Sequence, residues 1–258
     1  MIERRSVLKG LAALPLAAVP LAAVLADAKL ARAAADTLKP VTLALPGGRT
    51  ASAALGVPAT TPAPSVMLVH EWWGLNEQIK AVAAELASQG YLALAIDLFG
   101  GKVTDNPDEA RGFIAAVDAA QATETCAAWS DYLASANRGT GKLGVVGWCF
   151  GGGWALNASL ARPADATVVY YGEVAKSAAQ LAPLKGPVLG HFATRDQWIT
   201  KEMVSGFEAA MAEAGKKLEV HWYEADHAFA NPSGARYEAE DAALAWQGTL
   251  DFFARNLA

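Results

Sequence analysis

The sequence predicts one α/β domain built on a doubly wound, mostly parallel sheet flanked by helices. Three observations predict it. Runs that are apolar throughout recur along the chain, such as S-V-M-L-V-H at 65–70 and Y-L-A-L-A-I at 91–96, and strands without a polar face are buried on both sides. These runs alternate with segments of helical period, the order expected of βαβ units. No repeat or internal linker divides the 258 residues, and 53% hydrophobic with 18% charged residues is ordinary globular composition.

The first 33 residues are set apart from that domain. A charged start, E-R-R-S-V-L-K-G at 3–10, leads into an apolar run and then Ala31-Arg32-Ala33, the layout of a signal peptide. The paired Arg4-Arg5 before Ser-Val-Leu-Lys resembles a twin-arginine export signal. A membrane anchor fits less well. The run from Leu11 to Ala26 is 16 residues with two prolines, against the roughly 20 that a spanning helix needs. The expectation is therefore a folded domain, residues 34–258, working in the periplasm without a stable membrane span. Cleavage after Ala33 removes five basic and two acidic residues and leaves a net charge of −8. An acidic chain with no basic run argues against a nucleic-acid partner.

The elements follow in order. Residues 41–45 and 51–55 flank Pro46-Gly47-Gly48 as a hairpin. A strand over 65–70 precedes a helix over 77–89 that stops at Gly90, a C-cap signal. A strand over 91–96 ends at Asp97, Pro107 can open a helix, and broken helical pattern runs to about residue 137. Residues 142–146 read as a strand and 150–160 as a helix. Strands over 167–171, 187–193 and 218–223 and helices over 201–214 and 237–257 complete the chain. The segment 100–137 is long enough to raise the question of a lid.

In such sheets the ligand site lies at the carboxyl ends of the strands, and the reactive residues fall there. G-W-C-F-G-G-G at 147–153 has the spacing of G-x-S-x-G with Cys149 at its centre, between a predicted strand and a predicted helix. The two flanking glycines suit a tight turn with a close-packed helix, and the helix N-terminus favours a thiolate. Asp196 follows the strand over 187–193, and His227 follows the strand over 218–223. The chain order is nucleophile, acid, histidine, as in α/β-hydrolases. A histidine can move a proton near neutral pH, and an acid can fix its tautomer. Asp226 and Glu224 compete with Asp196 for that last role, although Asp226 adjoins His227 in sequence and reaches its ring with difficulty. His70, His191 and His221 are weaker alternatives to His227. Glu71, in H-E-W-W-G-L just past a buried strand, is an unusual place for a solvated carboxylate. Of the two cysteines, Cys126 sits in an alanine-rich helical pattern as a small core residue would, and a Cys126–Cys149 bridge is the one disulfide the chain could form.

Together these stretches resemble the dienelactone hydrolase (carboxymethylenebutenolidase) family of the α/β-hydrolase fold. The resemblance rests on H-E-W-W-G-L at 70–75, Y-L-A-L-A-I-D-L-F at 91–99, G-W-C-F-G-G at 147–152, Y-Y-G at 170–172, R-D at 195–196 and H-W-Y-E-A-D-H-A-F at 221–229. It implies a cysteine nucleophile at Cys149 with Asp196 and His227. It implies that Glu71 pairs with the thiol at rest and helps to generate thiolate once substrate displaces it. The backbone amides of Trp72 and Phe150 would form the oxyanion hole. The implied reaction opens an unsaturated lactone through an acyl-thioester, without cofactor or metal. One position departs from the family. An arginine that holds the substrate carboxylate, four residues after the histidine, is here Asn231. Arg111 is the candidate for the second family arginine, and Arg236 for a replacement of the first. Trp72, Trp73, Trp148, Phe150 and Trp198 predict a broad apolar pocket. The reading is an exported cysteine hydrolase of small esters or lactones, with a monomer as the default. A thiol redox sensor, or a binding protein on a hydrolase scaffold, are the alternatives.

Overall fold

The structure is a computed structural model and describes residues 20–258. The paired arginines and most of the apolar run of the leader lie outside the described residues. Two short helices precede the sheet, α1 (Leu21–Ala26) and α2 (Ala28–Ala35). Asp27 starts the second by accepting hydrogen bonds from the amides of Lys29 at 2.8 Å and Leu30 at 3.2 Å. The cut expected after Ala33 falls inside α2.

Eight strands form one sheet: β1 (Lys39–Ala44), β2 (Thr50–Gly56), β3 (Ala63–Val69), β4 (Leu92–Ile96), β5 (Gly139–Trp148), β6 (Ala166–Tyr170), β7 (Val188–Ala193) and β8 (Leu218–Tyr223). Their spatial order is β1-β2-β4-β3-β5-β6-β7-β8. Both pairings of β2 are antiparallel, and those from β4 through β8 are parallel. The predicted hairpin at 41–55 is the antiparallel edge. The helices after the first strands are α3 (Glu77–Ser88), α4 (Pro107–Ala115), α5 (Ala119–Ala134), α6 (Phe150–Ala161), α7 (Ala178–Leu181), α8 (Lys201–Glu213) and α9 (Ala239–Leu257).

The period-two alternation of each strand divides the core between two layers. Val66 and Leu68 of β3 pack toward α3 and α9, with Ile79, Leu86, Phe252 and Phe253. Met67 and Val69 face the other way, toward Trp129 and Leu133 of α5 and Trp154 of α6. Val204, Phe207 and Met211 of α8 extend that second layer beside β7. Each such side chain, fully buried, contributes about 1.5–3 kcal/mol. The segment 100–137 is therefore mostly scaffold: Cys126, Trp129 and Leu133 bury α5 in the sandwich, and only α4 is left mostly exposed. The break in its helical pattern lies between α4 and α5, where Asp118 caps α5 by accepting from the Gln121 amide at 2.9 Å. The one-turn α7 carries too short a pattern for the sequence to reveal.

The central crossing is tightest where β5 turns into α6. A Cβ on Gly147 would lie 1.9 Å from the Gly151 carbonyl oxygen, and one on Gly151 would lie 2.2 Å from the Val69 oxygen. Backbone cannot yield there as a flexible side chain could. Gly151→Ala should therefore cost more than about 3 kcal/mol, read as a large fall in the urea midpoint or as loss of soluble protein. An unchanged midpoint would show that the turn is looser than this packing implies.

Candidate active site

Cys149 sits on the turn between β5 and α6 with φ 54° and ψ −118°. A side chain rarely adopts that conformation, which costs on the order of 1–3 kcal/mol. The three non-glycine residues with positive φ among the described residues are Cys149, Tyr171 and Ala228. All three belong to this site: Ala228 follows His227, and the Tyr171 ring lies 5.2 Å from the His227 ring. Strain held by a rigid scaffold at one place is a mark of a functional constellation.

The strand ends deliver a continuous hydrogen-bonded chain. His227 Nδ1 lies 2.6 Å from Asp196 Oδ2, and His227 Nε2 lies 3.2 Å from Cys149 Sγ. Asp196 is itself fixed by the amides of Trp198 at 2.8 Å and Ile199 at 3.0 Å. Burial pushes its carboxyl up, but the His227 hydrogen bond and these amides outweigh that and leave it below the usual carboxylate range. An ionised Asp196 holds the proton on Nδ1 and turns the Nε2 lone pair toward the thiol. Of the competing acids, Asp226 pairs with Arg195 at 3.4 Å and Glu224 is exposed. His70 is locked in the scaffold: Nδ1 donates to the Glu71 carbonyl at 2.6 Å and Nε2 accepts from the Leu98 amide at 3.1 Å. Burial holds it neutral. His191 is buried between Tyr223 and Thr249, and His221 is exposed on β8.

The amides of Trp72 and Phe150 both point at the Cys149 sulfur. They also draw its pKa down, as the helix-terminus argument predicts. Yet burial, and then the neighbouring charge of Glu71, outweigh them and push the thiol up to about 12. The helix-terminus contribution expected at Cys149 is thus present but outweighed, and in the folded site burial favours the thiol form. Both cysteines are free, and Cys126 is buried in α5.

Glu71 differs from expectation too. Its oxygens are taken by the Asn231 amide and, at 3.5 Å, by the Tyr171 hydroxyl rather than by the thiol. The orientation of Asn231 is set from behind, because its Oδ1 accepts from the Ser233 amide at 3.0 Å and the Ser233 hydroxyl at 2.8 Å. Its NH2 group must then face Glu71. Burial raises the Glu71 carboxyl to about 7, against the pull of His227, Asn231 and Tyr171.

The other sequence candidates separate into two groups. Trp198 is exposed and stands edge-on to His227 at 5.2 Å. The Arg236 guanidinium lies over Trp198 at 5.2 Å and donates to the His227 carbonyl at 3.3 Å. Trp73 leans on Trp72 at 4.7 Å. Trp198 and Arg236 thus stand beside His227, and Trp73 beside Trp72. Arg111, by contrast, is exposed on α4 and pairs with Asp108. Asn231 is buried as the partner of Glu71, and so is not a surface contact for substrate. Trp148 belongs to the core, stacked on Tyr170 at 5.3 Å. Sequence reasoning missed Tyr171 and Ser233 as members of the site. Tyr171 had a faint signal, a strand end running into Gly172; Ser233 had none.

The sheet order and a nucleophile turn carrying a hydrogen-bonded Asp–His–Cys chain define an α/β-hydrolase. The fold is shared at a distance with the Pyrococcus horikoshii acylaminoacyl peptidase, with a TM-score of 0.65 and 15% identity over 86% of this chain and 42% of that one. A dienelactone hydrolase-like promiscuous phosphotriesterase from metagenomic libraries gives 0.77 and 21%, over 86% of this chain and all of its own (100%). The model of the dienelactone hydrolase family matches residues 51–257, and the chain belongs to that family. It is 32% identical over 222 residues to the carboxymethylenebutenolidase of Pseudomonas putida, covering 80% of this chain and 92% of that one. It is 27% identical over 218 residues to carboxymethylenebutenolidase 1 of Cupriavidus pinatubonensis, covering 81% and 92%. The protein is a hydrolase of the ester- and lactone-cleaving kind.

The raised Glu71 pKa has a measurable consequence. The folded state binds its proton more tightly than the unfolded chain does, so its contribution to stability is present at low pH and is lost as pH rises from about 4.5 to about 7. Buried His70 and His191, whose pKa values are lowered, act in the opposite direction over an overlapping range. The comparison must therefore be between wild type and Glu71→Gln. Across that window the difference in unfolding free energy should move toward the Gln variant by on the order of 3 kcal/mol. Parallel stability curves would show that Glu71 titrates normally.

Proposed function

We propose that the protein is an exported cysteine hydrolase that cleaves a small lactone or carboxylic ester through an acyl-thioester on Cys149. The observation that carries this reading is the 3.2 Å contact between His227 Nε2 and Cys149 Sγ, with both the Trp72 and Phe150 amides aimed at the same sulfur. His227 takes the thiol proton as the sulfur attacks the substrate carbonyl, and Asp196 stabilises the imidazolium that forms. The carbonyl oxygen, now negative, moves into the two amides, which are fixed and lose nothing by reorienting. Collapse expels the alkoxide or ring-opened enolate, which receives the proton back from His227. Water then enters, gives its proton to His227 and hydrolyses the thioester.

Glu71 acts through charge. While ionised it opposes the thiolate, and protonation or removal of its charge eases thiolate formation. With Asn231 and Tyr171 holding the carboxylate, this site needs no substrate to release Glu71 from the sulfur. The reading favours neutral, apolar substrates, because Trp198 stands against His227 and Trp72 pairs with Trp73 beside it in sequence, with Arg236 held over Trp198. The twin-arginine leader supports a periplasmic site of action, checked by fractionation and intact mass.

Hydrolysis of an activated acetate ester tests the assignment. Cys149→Ala should abolish turnover, and a rapid quench should trap an acetyl group on Cys149 in the wild type. Asp196→Asn should lower kcat by about 10⁴-fold, as removal of the orienting acid does in the worked serine case. Turnover that survives Cys149→Ala, or an Asp196→Asn variant of near-normal rate, would remove this mechanism.

A further inference from the structure

Glu71 also faces a space the mechanism does not use. A cavity of about 300 Å³ lies behind it, and neither Cys149 nor His227 is among the residues lining it. Glu71 and Asn231, Ile79 of α3 and Trp246 of α9 line it, and Leu21 and Leu25 of α1 cover part of the remaining side, leaving the space partly open. Among the described residues, no lysine or arginine lines it and Glu71 is its single carboxyl group. That cover is slight. Helix α1 is six residues long and buries Val24 alone. Its Leu25 carbonyl meets the Gln78 side chain at 3.5 Å, the limit of a hydrogen bond. A helix that short has no stability of its own. By contrast α2 is capped by Asp27 and buries three alanines.

We propose that this cavity is a binding site for a small, uncharged, largely apolar molecule of one or two rings, narrowed by Pro20–Leu25 while the leader is attached and freed of that obstruction when the leader is removed. The size sets the ligand: a cavity of roughly 150 Å³ holds benzene, and this one has about twice that volume. The lining sets its charge. Apolar walls reward burial, the amides of Gln78 and Asn231 and the Glu71 carboxyl offer hydrogen bonds, and there is no cation to receive an anion. The occupant would lie against Glu71, whose charge acts on the Cys149 thiol, so the site is placed to influence the catalytic sulfur without touching it. A cut anywhere from the end of α1 to Ala33 detaches the covering segment. The proposal rests on the leader removal proposed above.

The test compares the full chain, kept in the cytoplasm by R4K with R5K, with the protein recovered after export, both verified by intact mass. The probe is phenylnaphthylamine, a neutral fluorophore that brightens in apolar surroundings, set against its sulfonated analogue. Processed protein should bind the neutral probe at least about tenfold more tightly than the full chain and discriminate against the sulfonate. Ala242→Phe, which projects into the cavity from α9, should abolish binding in processed protein whose thermal unfolding remains cooperative. Leu21→Ala with Leu25→Ala should restore binding to the full chain. Equal binding by both forms, indifference to Ala242→Phe, or equal affinity for the sulfonate would each overturn the proposal. If intact mass shows the leader still attached after export, the export reading fails. The Leu21→Ala, Leu25→Ala pair in the full chain then decides the cavity alone, and no gain in probe binding would refute it.

Discussion

The site depends on one backbone constraint, the close crossing of the β5–α6 turn over the end of β3. Gly147 and Gly151 permit that approach, and the Cys149 backbone at φ 54° is its consequence. Because the turn is pinned against Val69, the thiol stands clear of the sheet, with the Phe150 amide from its own helix on one side. The Trp72 amide, from the loop that leaves β3, comes from the other. His70 holds that loop by bridging the Glu71 carbonyl and the Leu98 amide. The two amides therefore come from separate segments, and the one carrying Trp72 is tied to the loop after β4 by a buried histidine. Nothing in this arrangement has to move for a carbonyl oxygen to be received.

Electrostatics then decide the resting state. Burial first, and then the charges of Glu71 and Asp196, oppose ionisation of the thiol more strongly than the Phe150 and Trp72 amides support it. Asp196 spends its charge on His227, which prepares the imidazole to take a proton. Glu71 spends its hydrogen bonds on Asn231 and Tyr171, which keep its carboxylate off the sulfur. The thiol is thus close to His227 while burial favours its protonated form, a state less open to oxidation, since oxidation follows thiolate character. In the proposed mechanism, the reactive form arises when substrate gives the developing charge a place in the two amides.

The fold was legible in the sequence because its strands are short apolar runs with glycine and proline punctuation, and a buried parallel sheet leaves no other reading of them. The meeting of Cys149, Asp196 and His227 was legible for a related reason: strand ends are where the chain leaves the core, so these residues stand out against apolar runs. Substrate residues were not legible in the same way. Asn231 stood where the family places an arginine that holds the substrate carboxylate, and sequence distance from His227 says nothing about the turn that buries it. Arg111 has the right chemistry on an exposed face of α4. The thiol's protonation state depends on burial and on the charges of Glu71 and Asp196, brought from the ends of two other strands, and no local pattern carries that sum. The helix-terminus rule named a real contribution at Cys149 and missed the larger one opposing it.

The central claim is that Cys149 rests as a thiol and is ionised only in concert with His227. Thiolate absorbance in the ultraviolet tests it most directly, taken as the difference between wild type and Cys149→Ala over a pH titration without substrate. The account predicts no Cys149 thiolate signal at neutral pH and its appearance only under alkaline conditions. A full thiolate signal at neutral pH, titrating away with an acidic midpoint, would contradict it and establish a standing thiolate–imidazolium pair instead.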